Sequence, residues 1–157
     1  MNKINKVVIL KLVLIILMIA TLLFIYIQSM IPPEESKAES DKVGEIVGEI
    51  IPPETPVGGY VQINIRKIAH FVEFAVLGFE AAIYFMLFSK KVTRGVALYP
   101  IALILAFFDE SIQLLSGRGP TIGDVWIDLL GFASSSLVVI GVWALVLYII
   151  KKAKCKV

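Results

Sequence analysis

Apolar positions along the chain gather into four long blocks, at roughly 7–29, 67–88, 95–115 and 123–150. At 1.5 Å per residue, about 20 helical residues cross a hydrocarbon core of about 30 Å. The pattern predicts an all-α integral membrane bundle of four transmembrane helices, built as a single domain over residues 1–157. Lys3 and Lys6 precede the first block and Lys11 lies near its start, as in a signal peptide. Its apolar run is too long for a signal core and no A-x-A site follows, so a retained helix is expected.

Between the first two blocks, residues 30–66 are polar and acidic. Within them VGEIVGEII places Val43, Ile46, Val47, Ile50 and Ile51 on one helical face and Glu45 and Glu49 on the other. A short amphipathic helix is predicted here, lying at the interface or over the bundle. Asp41 is its expected N-cap, and Pro52-Pro53 its expected stop.

Composition agrees with a membrane protein. Of 157 residues, 58% are hydrophobic, and the net charge is only +2. A soluble domain averages roughly 45–50% apolar. No basic stripe interleaved with aromatics is present, which excludes a nucleic-acid partner. The single cysteine, Cys155, excludes an internal disulfide and a cysteine-based metal cluster.

Basic residues set the expected orientation. Lys3, Lys6 and Lys11, then Lys90, Lys91 and Arg94, then Lys151, Lys152, Lys154 and Lys156 alternate correctly to share one side. The positive-inside rule puts them in the cytoplasm, with both termini inside and loops 30–66 and 116–122 outside.

Six of the thirteen acids lie within or at the start of predicted spans: Glu73, Glu80, Asp109, Glu110, Asp124 and Asp128. A charge at mid-bilayer is costly, so such residues are candidates for function. Arg66, His70, Glu73, Leu77 and Glu80 fall within about 80° on one helix face. Asp124, Asp128, Gly131 and Ser135 make a second stripe, while Asp109 and Gln113 are i,i+4 neighbours beside Glu110. In the expected topology all except Glu80 lie in the outer half, near Arg118. Six carboxylates facing Arg66, Lys67, Arg118 and the only histidine must be protonated, paired, hydrated or bound to a cation.

Structural readings stand beside these. Thr121-x-x-Asp124 fits a capping box. Glu80 fits a hydrogen bond to a neighbouring helix. Gly131 and Ser134 to Ser136 fit close helix packing. One histidine without cysteine makes a weak zinc site, and no spacing specifies Ca²⁺ or Mg²⁺. Metal and cofactor therefore stay open. No G-x-S-x-G or H-E-x-x-H motif occurs. The lack of a recognisable nucleophile favours a binding protein over an enzyme, without excluding an intramembrane hydrolase or transferase that uses a His–carboxylate site.

The run RKIAHFVEFAVLG at 66–78, DESIQ at 109–113, GRG at 117–119 and DVWIDLLG at 124–131 resembles the VanZ-like family, as does QSMIPPEESKAES after the first helix. The resemblance covers nearly the whole chain. It implies a small bacterial cytoplasmic-membrane protein contributing to teicoplanin-type glycopeptide resistance or envelope maintenance. It marks His70, Glu73, Asp109, Glu110, Gln113, Arg118, Asp124 and Gly131 as family positions. Two positions depart from the usual pattern: Phe74 stands where many members have tyrosine, and Asp128 where asparagine is frequent. Together, these features give an expected outward pocket of His70, Glu73, Asp109, Glu110, Gln113, Arg118, Asp124 and Asp128. Arg66, Lys67 and Arg118 would hold the anionic headgroup. The expected partners are membrane lipids and a lipid-linked envelope precursor or a lipoglycopeptide.

Overall fold

The computed structural model describes residues 3–89, 92–119 and 121–154, with the side chains of 3–5, 92–94 and 154 set aside. Lys90, Lys91, Cys155 and Lys156, and the side chains of Lys3, Arg94 and Lys154, therefore lie outside the described residues. The chain forms α1 (Lys3–Met30), α2 (Pro33–Ile50), α3 (Pro56–Phe88), a 3₁₀ helix (Val92–Ala97), α4 (Leu98–Leu115) and α5 (Ile122–Lys154). Four of these helices are long and apolar enough to cross a membrane, namely α1, α3, α4 and α5. No strand occurs among the described residues.

The region between α1 and α3 differs most from the expectation. The amphipathic segment starts ten residues earlier, and Asp41 lies inside α2 rather than capping it. The backbone explains the shift. Pro32 occupies the cap position, Pro33 opens the helix and Glu34 and Glu35 fill its first turn. Proline pre-sets φ there, and carboxylates complement the unpaired N–H groups. The chain leaves helical geometry at Ile51, before Pro52-Pro53 as expected.

Helix α3 begins at Pro56, eleven residues before the expected start. The Thr55 hydroxyl caps it by accepting from the Gly58 amide at 3.0 Å. The added segment PVGGYVQIN lacks a continuous apolar run, so hydropathy does not reveal it. Its junction with the apolar part is a kink at Asn64 (φ −112°, ψ 15°), whose side chain donates to the Tyr60 carbonyl.

Cross-helix contacts fix the directions. Thr21 meets Glu80 and Lys11 lies 5.0 Å over the Phe88 ring, so α1 and α3 are antiparallel. Tyr26 and Ser29 of α1 reach Leu105 and Asp109 of α4, which makes that pair parallel. Helices α3 and α5 run parallel and pack backbone to backbone. A Cβ at Gly78 would collide with the Phe132 carbonyl, and one at Gly131 with the Phe71 carbonyl. Gly131 is thus a packing residue, as its setting in the sequence suggests. Ser134, Ser135 and Ser136 bond carbonyls of their own helix. The small core around Ile25, Phe74, Leu77, Ala106 and Phe132 lies where these helices converge. Most large side chains of α1 and of the C-terminal half of α5 are exposed, as a lipid-facing surface requires.

Candidate functional site

The close approach of α3 to α5 and the pairing of α1 with α4 bring polar residues from four helices to one level. This level lies at the end of the bundle that carries α2. Asp109 is fully buried at its centre. One carboxylate oxygen accepts from the Ser29 hydroxyl at 2.6 Å, and the other from the Gln113 amide at 2.8 Å. His70 Nδ1 lies 3.5 Å from Asp109, 3.7 Å from Asp128 and 4.0 Å from Glu73. Among the described residues, these close charge contacts all centre on His70.

Among the described residues the guanidinium groups are held by neutral acceptors, so pairing with the carboxylates, one of the four alternatives open from the sequence, is not what orders them. Arg66 donates to the Gln113 side-chain carbonyl. The same Gln113 amide donates to Asp109 and, at 3.2 Å, to Glu110. Gln113 therefore links Arg66 to two carboxylates without direct ion pairing. Arg118 is 6% exposed and donates to the Gln28 carbonyl at the end of α1, at 2.9 Å. Burial, with Arg66 nearby, lowers its pKa from the usual arginine value against the opposing pull of Asp109, Glu110 and Glu73. Arginine remains a cation there.

Glu110 is buried and has a capping role. Its carboxylate accepts from the Thr121 amide at 3.0 Å, just ahead of α5. Thr121 in turn accepts from the Asp124 amide at 3.2 Å. This is the threonine half of the capping box expected from Thr121-x-x-Asp124. Glu110 on another helix accepts from the Thr121 amide, the bond that the Asp124 carboxylate would make in a closed box. Asp124 is half-exposed and makes no side-chain hydrogen bond into the cluster. Glu80 lies deeper and accepts from Thr21 at 3.1 Å, in keeping with a structural helix-to-helix contact.

A cavity of about 460 Å³ lies against this cluster, roofed by α2 and lined by His70, Glu73, Arg66 and Arg118 from the bundle and by Ser36, Glu39 and Lys42 from the roof. Of the eight expected pocket residues, His70, Glu73 and Arg118 line it; Asp109, Gln113 and Asp128 are buried and do not, Glu110 faces Thr121 at the start of α5, and half-exposed Asp124 does not line it either. The cavity is accordingly set among α1, α2, α3 and the α4–α5 loop, rather than between the three later helices alone. A second cavity of about 350 Å³ shares Arg66 and Arg118. Lys67 is exposed and lines neither. The roof is tied down where the Gln62 amide donates to the Gly44 carbonyl at 2.6 Å. Ile46 and Ile50 of α2 remain exposed.

An apolar groove of about 420 Å³ runs between α1 and α3, lined by Ala20, Thr21, Phe24, Val72, Val76 and Glu73. Glu73 thus borders both the polar cavity and the apolar groove.

A model of the VanZ/LLP1 family matches residues 12–148. The chain belongs to the VanZ/LLP1 family. No curated protein and no solved structure matches it. The matched span includes every residue of the buried cluster and the whole of α2, so the VanZ/LLP1 match and the cluster coincide along the chain.

Ser29 and Gln28 escaped the reading of the sequence, although both hold site residues in place. The signal for Ser29 is a polar side chain near the end of the most uniformly apolar helix; Gln28 holds Arg118 through its backbone carbonyl, which leaves no signal in the sequence. The cavity-facing residues of α2 escaped as well, because their role depends on how α2 folds back over α3.

Proposed function

We propose that this VanZ/LLP1 protein binds a lipid-linked or lipid-tailed amphiphile at the α2 end of the bundle and so lowers susceptibility to teicoplanin-type glycopeptides. In this reading the protein sits in the bacterial cytoplasmic membrane with both termini inside, and the α2 end faces outward. One observation carries the reading: Glu73 joins a polar cavity that holds Arg66 and Arg118 to an apolar groove. An amphiphile needs both surfaces side by side. Arg66 and Arg118 offer donors to a phosphate or carboxylate, and the groove between α1 and α3 offers a bed for an acyl or prenyl chain. Ser29, the hydroxyl nearest Asp109, is fully buried and does not line the cavity, which weighs against its use as a nucleophile.

Overexpression is expected to raise tolerance to teicoplanin more than to vancomycin, which lacks the lipid tail. Arg118→Ala, at an unchanged protein level in the membrane, should erase the difference. Equal tolerance to both drugs, or a full effect from Arg118→Ala, would oppose the reading and favour hydrolase or transferase chemistry.

A further inference from the structure

We propose that His70, Asp109 and Asp128 form a binding site for a divalent transition-metal cation of the Zn²⁺ class, with Glu73 at its cavity side. The proposal stands on the geometry of the cluster and does not depend on the identity of the amphiphile. One ligand atom from each of the three residues lies within 4.8 Å of the others. His70 Nδ1 is 3.5 Å from Asp109 Oδ2 and 3.7 Å from Asp128 Oδ1. Charge-assisted hydrogen bonds draw N and O to about 2.7–2.9 Å, so a shared proton does not account for this spacing. Bonds of about 2.0–2.1 Å to a tetrahedral ion give ligand-to-ligand edges of about 3.3–3.4 Å, close to the separations of His70 from Asp109 and from Asp128.

Unpartnered atoms point the same way. Asp128 is fully buried, and neither of its carboxylate oxygens has a hydrogen-bond partner among the described residues. His70 Nδ1 is likewise unpartnered. A buried carboxylate without a donor is costly, and such a group calls for an explanation. Asp109, by contrast, is oriented by Ser29 and Gln113, an arrangement that suits a ligand held by outer partners. The three residues come from α3, α4 and α5. Their positions are therefore set by helix packing rather than by a loop.

Charge balance supports a dication. Glu73, Asp109, Glu110, Asp124 and Asp128 are buried or half-buried, and Arg66 and Arg118 are the cations set among them. Five carboxylates against two guanidinium groups leave the cluster short of positive charge, which a divalent ion would supply. One imidazole nitrogen with two or three carboxylate oxygens suits Zn²⁺ or Mn²⁺ better than Ca²⁺, which takes six to eight oxygens. Because His70 and Glu73 line the cavity, an anion entering there comes within reach of the cluster.

The test uses the full chain, purified in detergent without a polyhistidine tag, stripped with chelator and titrated with Zn²⁺, Mn²⁺, Mg²⁺ and Ca²⁺ separately. Saturable uptake of about one Zn²⁺ per chain is expected, with a rise in thermal stability from binding to the folded state. His70→Gln should abolish uptake. Asp128→Asn, which keeps an oxygen but loses the charge, should weaken it by about tenfold or more. Glu80→Gln should bind as the unsubstituted chain does. Cobalt absorption on the unsubstituted chain guards against a variant that fails to fold, because tetrahedral Co²⁺ gives intense visible bands. Those bands at one equivalent support the site. Their absence, the lack of saturable Zn²⁺ uptake, or full uptake by folded His70→Gln overturns it.

Discussion

The Ser29 hydroxyl donates a 2.6 Å hydrogen bond to Asp109, joining the last turn of α1 to the buried centre of the site. Both side chains are fully buried, so the bond is shielded from water. Ser29→Ala would leave an oxygen of Asp109 without its donor, at a cost of about 1–3 kcal/mol. Ser29→Ala and Asp109→Asn should therefore be non-additive in a double-mutant cycle read by thermal unfolding in detergent. Strictly additive losses would show that the two residues do not act together.

Glu110 is expected to separate charge from capping. Glu110→Gln keeps an oxygen that can accept from the Thr121 amide, whereas Glu110→Ala removes it. The alanine variant should lose about 1–3 kcal/mol of stability, and the glutamine variant clearly less. Hydrogen exchange at the first turn of α5 should rise in the alanine variant. Equal damage from both variants would mean that the charge itself is required.

The transmembrane fold was largely legible in the sequence because a bilayer imposes a simple rule. A helix that crosses it must be long and apolar, and four blocks satisfy that rule. The polar stripes were legible for the same reason, since a residue such as Asp109 or His70 stands out against an apolar run. What escaped depends on features other than hydropathy. The start of α2 rests on Pro32-Pro33, and that of α3 on the Thr55 cap. The role of Gln113 as a link from Arg66 to two carboxylates needs the distance between α3 and α4, which no spacing along the chain encodes. Glu110 reads in the sequence as one more acid in the cluster, and only the placement of Thr121 shows it to be a cap.

Gly131 and Gly78 should tolerate almost no enlargement. Each faces a backbone carbonyl of the partner helix, which cannot rotate aside as a side chain does. Gly131→Ala is expected to cost about 1–3 kcal/mol, the usual range for overpacking, and Gly131→Leu to prevent stable assembly. Protease resistance in membranes checks this. Unchanged resistance of Gly131→Leu would contradict the close approach of α3 to α5.

Reporter fusions test the proposed orientation. A reporter inserted at residue 45 should be active only outside the cytoplasm, and one after residue 157 only inside. A cytoplasmic signal at 45 would place the cavity on the wrong side for an outer-leaflet ligand.

The most direct measurement of the central claim is the lipid retained by the purified protein, read by native mass spectrometry. Three variants should be compared with the unsubstituted chain. Arg66→Ala removes a cation from the polar cavity, Val76→Trp fills the apolar groove, and Val142→Trp changes an exposed position on the distant half of α5. The account predicts a retained amphiphile with an anionic headgroup, lost from both Arg66→Ala and Val76→Trp and kept by Val142→Trp. Retention of that lipid by both site variants, or its equal loss from all three, would contradict binding across the cavity and the groove.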